Sequence, residues 1–372
     1  MFVFGRNSII FNQTGSTDIY ASNRNQFKFQ DAISKTKSNV NKAQVEDSFQ
    51  ELVINTWSFS NATKAGWNVL QKTHSALDAV EIGCMQCEIE QCDGTVGYGG
   101  SPDETGETTL DAMIMDGPTH DVGAVGDLRR VKQAISVARA VMTHTTHTML
   151  VGDAATSFAL EMGFPESNLT TMKSRQIYEN WRGANCQPNF HRNVTPDPKK
   201  FCGPYKPIPS RNTDRVEATA NKYISKDNHD TIGMIAIDSK GRIAGGTSTN
   251  GANHKVPGRV GDSPITGAGA YVEQGVGGAV STGDGDVMMR FVPSFHAVML
   301  MSSGMKPDAA AKTAVAKIIN KYPQFSGALL AVDMNGNMGA ACNNIDGFPY
   351  TYRTSKDSEV KTVTVKCSHS NS

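Results

Sequence analysis

The segment NHDTIGMIAIDSKG, residues 228–241, sets an apolar, strand-like run directly behind an Asp-Thr pair. A threonine hydroxyl is a poor nucleophile unless a base lies within hydrogen-bond reach. A threonine that begins a chain carries such a base in its own α-amine, which titrates near ~7.7–8.0. Cleavage between Asp230 and Thr231 would therefore turn Thr231 into a terminal nucleophile. Without further motifs, an ordinary threonine at the start of a strand is the more frequent alternative.

Other patterns for catalysis or cofactor binding are incomplete in this sequence. No G-x-S-x-G turn accompanies an ordered Ser, Asp and His set, so a conventional triad has little support. His144 and His147 lie three residues apart at a helix end, without a third metal ligand. Gly267-Ala-Gly269 lacks the third glycine of a dinucleotide-binding turn. We therefore expect no metal, no nucleotide and no other cofactor.

Charge and hydrophobicity exclude two classes of partner. The 372 residues include 36 basic and 36 acidic side chains, so no net field draws the chain to nucleic acid or an anionic membrane surface. No apolar run approaches the roughly 18 residues of a membrane span. The first residues, MFVFGRNSIIFNQ, are interrupted by polar side chains and do not form a convincing secretory signal peptide.

The cysteines give conflicting information about the compartment. There are seven, in local groups: Cys84, Cys87, Cys92, Cys186, Cys202, Cys342 and Cys367. This spacing fits local disulfides with one odd thiol, and equally seven unpaired thiols in a cytosolic enzyme. The pair Cys84-x-x-Cys87 is only half of a zinc site. Glycosylation sequons favour an oxidising, secretory route and occur at Asn12, Asn61, Asn168 and Asn193.

Alternating strand and helix patterns in the first part of the chain predict layered α/β architecture. Residues 1–47 are polar without periodicity, and we expect them to be disordered. A strand is predicted from Phe49, a helix behind the start signal Ser75-x-x-Asp78, and a second strand in ETTLDAMIMDG. The segment GDLRRVKQAISVARAVM, residues 126–142, has apolar residues at helical spacing and predicts a second helix.

The second part of the chain contains a long loop followed by two similar predicted hairpins. Residues 185–230 are crowded with proline and polar residues and predict a long, structureless surface loop, which is a typical place for cleavage. Hairpins are predicted in TIGMIAIDSKGRIAGGTST and in GALLAVDMNGNMGAACN, the latter at Asn335-Gly336. Two helices, near 285–302 and 307–321, separate them. We therefore predict an α+β fold, a four-layer αββα sandwich with helices outside two sheets.

Several motifs in order resemble one enzyme family. NHDTIGMIAI, GTSTNG, GRVGDSPI and STGDGD follow a loop suited to cleavage, and NTWSFSNAT, CEIEQCDGTVGYGGSPDETGETTLDAMIMDG, VGAVGDLRRVKQAI and NCQPN precede it. Over about residues 50–367 the chain resembles the glycosylasparaginases, or aspartylglucosaminidases, of the N-terminal nucleophile hydrolases. The resemblance implies self-cleavage at Asp230, with residues 48–230 as the α chain and 231–372 as the β chain. Thr231 would then hydrolyse the amide between N-acetylglucosamine and asparagine.

The resemblance also implies roles for individual residues. Arg259 and Asp262 of GRVGDSP match the groups that bind the α-carboxylate and the α-ammonium of the substrate. Thr282 and Gly283 of STGDGD match the oxyanion-binding pair. Thr249 matches a hydroxyl that the family places beside the nucleophile. Trp57 matches an aromatic residue at the edge of the pocket. The implied disulfides are Cys87–Cys92, Cys186–Cys202 and Cys342–Cys367.

The same resemblance implies an assembly of two α and two β chains in the lysosome, although the start of this sequence has no clear signal peptide. A plant-type asparaginase or isoaspartyl peptidase is the closest enzymatic alternative, because it is similar around Thr231 and GRVGD. NTW and CEIEQCDG favour glycosylasparaginase. A secreted binding protein that kept the fold but lost activity is the alternative from another class.

Overall fold

The computed structural model describes residues 49–209 and 231–369. The predicted disordered extension, residues 1–47, and the predicted cleavage residue Asp230 lie outside these ranges, as do the other residues from 210 onward in the predicted loop. No helix within the two described ranges combines the length and the apolar character that crossing a bilayer requires.

Strands and helices of the described residues are numbered in chain order. The fourteen strands are β1 (Leu52–Thr56), β2 (Leu110–Asp116), β3 (Val122–Leu128), β4 (Met149–Val151), β5 (Val194–Thr195), β6 (Lys206–Pro207), β7 (Ile232–Ile237), β8 (Ile243–Thr249), β9 (Ala270–Glu273), β10 (Gly277–Gly283), β11 (Gly327–Asp333), β12 (Met338–Asn343), β13 (Phe348–Thr354) and β14 (Lys361–Val365). The eight α-helices are α1 (Ser60–Thr73), α2 (Ala76–Glu90), α3 (Ala134–His144), α4 (Gly152–Glu161), α5 (Met172–Gly183), α6 (Gly285–Met288), α7 (Pro293–Ser302) and α8 (Pro307–Ile319).

The larger sheet joins the two halves of the chain. Its eight strands lie in the order β14-β13-β1-β7-β8-β2-β3-β4, and all neighbours are antiparallel except β3 and β4. Strand β1 lies between β13 and β7, and β8 lies between β7 and β2. Strands from before and after Thr231 are therefore hydrogen-bonded to one another at the centre of the sheet.

A second sheet packs against the first. It has four strands in the order β12-β11-β10-β9, and helices α7 and α8 pack on it. Helices α1, α2 and α3 pack on the larger sheet, while β9 and β10 contact β8 and β7. The protein is thus a mixed α/β fold with large sheets. The two hairpins predicted around residues 238–242 and 333–337 are confirmed.

Helix α2 follows the signals in its sequence. The side chain of Ser75 accepts a hydrogen bond from Asp78 N at 3.2 Å, which satisfies one of the unpaired amides at the start of a helix. Gln91 ends the helix in the left-handed conformation. The predicted helix is confirmed, and the two strands predicted on either side of it are present as β1 and β2.

The helix predicted over residues 126–142 is wrong in its first half. Strand β3 continues to Leu128, paired with β2, and α3 begins only at Ala134. Arg130, between them, has a φ of 55°, a left-handed conformation that no right-handed helix contains. Strand pairing therefore overrides the helical spacing of the apolar residues in this segment.

The helix predicted near 285–302 is two helices, α6 and α7. Val292 lies between them with a φ of 44°, and Pro293 occupies the first turn of α7. A β-branched residue in the left-handed region interrupts a helix, whereas proline is suited to begin one. The next predicted helix is confirmed as α8, which ends at Ile319.

The described part of the predicted structureless loop has structure of its own. Strands β5 and β6 pair within it, and a disulfide joins Cys186 to Cys202. Immediately before it, the ring of Trp181 stacks on His254 with 4.7 Å between centroids. The prediction is wrong for residues 186–209, because a crosslink and a short ribbon hold them.

The disulfides agree with those implied by the resemblance. Cys84 is a buried free thiol, and the bridges are Cys87–Cys92, Cys186–Cys202 and Cys342–Cys367. The three predicted pairs are confirmed, and the alternative of seven unpaired thiols is wrong. Each bridge lies wholly before or wholly after Thr231.

Glu88 is a buried acid that connects α2, α3 and β8. Its Oε1 accepts hydrogen bonds from Ile135 N at 2.9 Å and Ser248 Oγ at 2.6 Å. Burial raises the pKa of Glu88 to about 8, and these two hydrogen bonds only partly oppose that effect. The carboxyl group is therefore neutral at mildly acidic pH, where its burial is least costly.

Replacing this acid should make stability less dependent on pH. Because the folded-state pKa is raised, the contribution of Glu88 is complete below its ordinary pKa of 4.5 and is lost as the pH rises through about 8. Glu88→Gln, which does not titrate, should therefore show a shallower decline of Tm across this range. Thermal unfolding at several pH values measures the slopes, with Glu90→Gln, exposed on the same helix, as control. Equal slopes for Glu88→Gln and wild type would contradict a neutral Glu88.

Candidate active site

Thr231 immediately precedes β7 and is fully buried. Its Oγ1 has no hydrogen-bond partner among the described residues, which is uncommon for a buried hydroxyl. In the β7–β8 ladder Ile232 lies opposite Ser248, so the next step of the register places Thr231 opposite Thr249. The hydroxyl of Thr231 is thus buried at the start of β7, opposite the end of β8.

Thr56, at the end of β1, holds the backbone of the candidate nucleophile. Its Oγ1 donates to Thr231 O at 2.7 Å and accepts from Gly233 N at 2.9 Å. One hydroxyl therefore fixes both peptide groups that flank Ile232. The sequence interpretation did not assign a role to Thr56, although it lies within the NTW motif, because its partner is 175 residues away.

The hydroxyl of Thr282 lies at the centre of the site. Its oxygen accepts hydrogen bonds from Thr231 N and from Trp57 Nε1, each at 3.0 Å. A hydroxyl has two lone pairs and one proton. With both lone pairs occupied, the O–H of Thr282 remains available to donate to a negatively charged oxygen beside Thr231.

Trp57 reaches Thr282 from a strained backbone. Its φ is 63°, and non-glycine residues are held in this region only by surrounding structure, often at functional sites. The Asn55 side chain holds the carbonyl of Thr56, and Thr63 donates to that same Asn55 side chain. The indole packs edge-on against Phe348, with ring centroids 5.3 Å apart. Trp57 is thus fixed in place, with its N–H on Thr282.

Gly283 follows Thr282 in a conformation that requires glycine. Its φ is 132°, and a Cβ there would lie 2.4 Å from Gly327 Cα and 2.6 Å from Ser326 O. Such backbone contacts cannot be relieved by a side-chain rotation. Any side chain at residue 283 would therefore separate β10 from β11 beside Thr282.

Arg259 and Asp262 lie together but have different partners. Arg259 pairs with Asp286, Nη2 to Oδ2 at 3.1 Å, and its Nη1 is buried without a partner among the described residues. Asp262 Oδ2 contacts Ser281 Oγ at 3.0 Å, while Asp262 Oδ1 is also buried and unpartnered there. A Cβ on Gly285 would lie 2.6 Å from Asp262 Oδ1 and 3.2 Å from Arg259 Nη2. One cationic and one anionic group thus face a space that glycine leaves open.

The charge state of Asp262 depends on what occupies that space. Burial raises the pKa of Asp262 to about 7, against the lowering effects of the Ser281 hydrogen bond and of Arg259. A cation at Oδ1 would stabilise the carboxylate and lower this pKa. Asp262 is therefore a carboxyl group with a pKa near neutral pH, whose Oδ1 accepts no hydrogen bond from a cation among the described residues.

Thr249 is committed to the backbone around it. Its Oγ1 accepts from Gly251 N at 3.1 Å and contacts Thr95 O at 3.3 Å. The hydroxyl closes the turn after β8, opposite Thr231.

As for metals, the described ranges contain no group of three or more His, Cys, Asp or Glu residues arranged to bind an ion, and His144 and His147 are exposed.

Comparisons with known proteins agree with these motifs. A sequence model of the family described as Asparaginase matches residues 34–362. The N(4)-(beta-N-acetylglucosaminyl)-L-asparaginase of Rattus norvegicus is 56% identical over 299 residues, which cover 80% of this chain and 85% of the rat protein. The Mus musculus protein of the same name is 56% identical over 297 residues, with the same coverage of 80% and 85%. The family match includes every residue placed around Thr231 above.

Proposed function

This chain belongs to the asparaginase family, and on that premise we propose that it hydrolyses the amide between N-acetylglucosamine and the asparagine side chain. The names of the rat and mouse relatives support the substrate. The observation that carries the mechanism is the meeting of Thr231 N and Trp57 Nε1 at Thr282 Oγ1. These contacts support a mechanism in which Thr231 Oγ1 is the nucleophile, Thr231 N is its base and Thr282 donates to the oxyanion.

The first reaction of Thr231 is on its own chain. Its Oγ1 attacks the carbonyl carbon of Asp230, the C–N bond to Thr231 breaks, and an ester forms between the two residues. Water then opens the ester, giving Asp230 a carboxylate and restoring the Thr231 hydroxyl. The products are an α chain ending at Asp230 and a β chain beginning with Thr231, whose nitrogen is now a free amine.

The second reaction is on the substrate. The α-amine of Thr231 accepts the hydroxyl proton as Oγ1 attacks the side-chain amide. The Thr282 O–H and the Gly283 N–H stabilise the oxyanion, and loss of one such donor typically costs ~3–4 kcal/mol of barrier. The glycosylamine leaves with the proton. Water then hydrolyses the aspartyl ester and releases aspartate.

The free α-carboxylate and α-ammonium of the asparagine orient the substrate. Arg259 Nη1, without a partner among the described residues, suits the α-carboxylate, and Asp262 Oδ1 suits the α-ammonium. The ammonium would keep Asp262 ionised. Trp57 contributes to the substrate wall and holds Thr282, while Thr249 shapes the turn opposite the nucleophile.

The proposed maturation fits the assembly and compartment implied by the family. Helices on the outer faces of two packed sheets support a four-layer αββα sandwich. We propose that two α and two β chains form the enzyme. Three disulfides support an oxidising compartment, and we propose the lysosome, because glycoprotein degradation takes place there.

Removal of the Thr231 hydroxyl should abolish self-cleavage. Wild-type protein is expected to yield one fragment ending at Asp230 and another beginning at Thr231, whereas Thr231→Ala should remain a single chain because no nucleophile is present. Intact-mass spectrometry distinguishes the two. Thr143→Ala, which removes an exposed threonine hydroxyl, is the control and should be cut normally. Cleavage of Thr231→Ala at the same bond would remove Thr231 from the mechanism.

The cleaved enzyme should also be tested for substrate class. We expect hydrolysis of glycosyl-asparagine in preference to β-aspartyl dipeptides, measured by the kcat/KM ratio of the two. A clear preference for the dipeptide would favour an isoaspartyl peptidase instead. A stable, folded chain that cleaves neither itself nor any substrate would favour a binding protein.

The Thr56 hydroxyl should be needed for catalysis rather than for binding. Thr56→Val keeps the shape but loses both hydrogen bonds to the backbone around Thr231, and kcat is expected to fall by about tenfold to a hundredfold because the nucleophile is misplaced. KM should change little. Thr56→Ser retains the hydroxyl and should stay near wild type. Steady-state kinetics of both variants measures this, and equal losses in the two would contradict the role of the hydroxyl.

A further inference from the structure

The segment that carries Arg259 is attached to the rest of the protein through buried donors. This segment, the arginine loop, comprises residues 250–261 between β8 and Asp262. At one end the Asn250 side chain donates to Gly94 O at 3.1 Å and Gly97 O at 2.9 Å. At the other end Gly261 N donates to Asp111 Oδ2 at 3.1 Å. Both ends of the loop are therefore fixed.

Lys255 fixes the middle of the arginine loop. Its side chain is buried, and Nζ donates to Ser101 O at 2.9 Å and to Asn250 O at 3.0 Å. The first bond ties the loop to the preceding half of the chain, and the second closes the loop on itself. The backbone of Lys255 also accepts a hydrogen bond from Glu104 N at 3.0 Å.

The charge of Lys255 is costly where it lies. Within residues 49–209 and 231–369 no carboxylate forms an ion pair with its Nζ, and Asp111, Asp103 and Asp127 act on it only from a distance. Burial lowers the pKa of Lys255 to about 8. A buried ammonium requires hydrogen bonds in place of water, and here two carbonyl oxygens supply them. The buried ammonium of Lys255 is therefore stabilised by the two hydrogen bonds with which it holds the arginine loop.

The same lysine lies next to the guanidinium of Arg259. A Cβ on Gly251 would lie 3.2 Å from Arg259 Nη1 and 3.7 Å from Lys255 Cδ, so both side chains pack close to this one glycine. Gly251 has a φ of 73°, a conformation that the closed loop requires. A shift of Lys255 would move Gly251 and with it the space around Nη1.

We propose that Lys255 is a positioning residue that sets the arginine loop so that Arg259 Nη1 meets the α-carboxylate of the substrate. This inference rests on the proposed function. It assigns Lys255 no contact with the reacting atoms: its effect passes through Arg259. Its loss should therefore weaken recognition of one substrate group and spare the others.

A pair of ligands isolates that group. L-Aspartate, the proposed product, carries the α-carboxylate, and β-alanine is the same molecule without it. Lys255→Met keeps the aliphatic stem and removes the donors. We expect it to weaken aspartate binding by roughly tenfold, because the charge-assisted hydrogen bonds from Arg259 to the α-carboxylate would be misaligned. Binding of β-alanine should change less than about twofold, because β-alanine lacks the α-carboxylate and the variant keeps the contacts to the other groups.

Isothermal titration calorimetry on the self-cleaved, full-length protein measures both affinities. Lys240→Met, at an exposed lysine in the turn between β7 and β8, is the matched control and should bind both ligands as wild type does. If Lys255→Met does not fold, Lys255→Gln, with two N–H donors on a shorter stem, replaces it. The same selective weakening is expected, to a smaller degree.

Unchanged aspartate binding by the folded variant would overturn the role of Lys255, and so would equal weakening of aspartate and β-alanine. The proposed function is tested separately by the wild-type protein. If the wild type neither binds aspartate nor hydrolyses glycosyl-asparagine, the proposed function fails and this inference fails with it. An active wild type with an unaffected Lys255→Met variant contradicts this inference alone.

Discussion

The rest of the site depends on the hydroxyl of Thr282. A threonine hydroxyl rotates freely unless its lone pairs are occupied, and here Thr231 N and Trp57 Nε1 occupy both. The direction of the remaining proton is thereby decided before any ligand arrives. Catalysis by charge stabilisation requires donors that are already oriented, because reorientation during the reaction would consume the gain. One side chain thus receives its orientation from two others.

Sheet order explains how these residues meet. Trp57 follows β1, Thr231 precedes β7, and Thr282 lies in β10. Strands β1 and β7 are neighbours in the larger sheet, and β10 belongs to the smaller sheet and contacts both of them. Thr231 therefore lies at an edge where two sheets touch, with its backbone held by one and its hydrogen-bond acceptor supplied by the other.

Capping residues, turn residues and hydrophobic periodicity predicted the elements that depend on residues close together in the sequence. The Ser75 cap, the two hairpins and the strand behind Thr231 follow from turn residues and periodicity, and the structure contains them. Partners remote in sequence were not predictable in this way. Arg259 pairs with Asp286 and Asp262 contacts Ser281, across 27 and 19 residues, and no spacing rule reports such pairs. Pairing of β3 with β2 and β4 likewise extended a strand to Leu128, where periodicity indicated the start of a helix.

The interleaving of the larger sheet has a consequence for the lifetime of the protein. Ladders β1–β13, β1–β7 and β2–β8 pair strands across residue 231, while no disulfide crosses that point. A scission there would leave two polypeptides joined only by non-covalent contacts. Refolding would then become a bimolecular search that depends on concentration, so folding has to be complete before scission. After scission, the lifetime of the folded protein is set by its rate of unfolding rather than by its equilibrium free energy of unfolding.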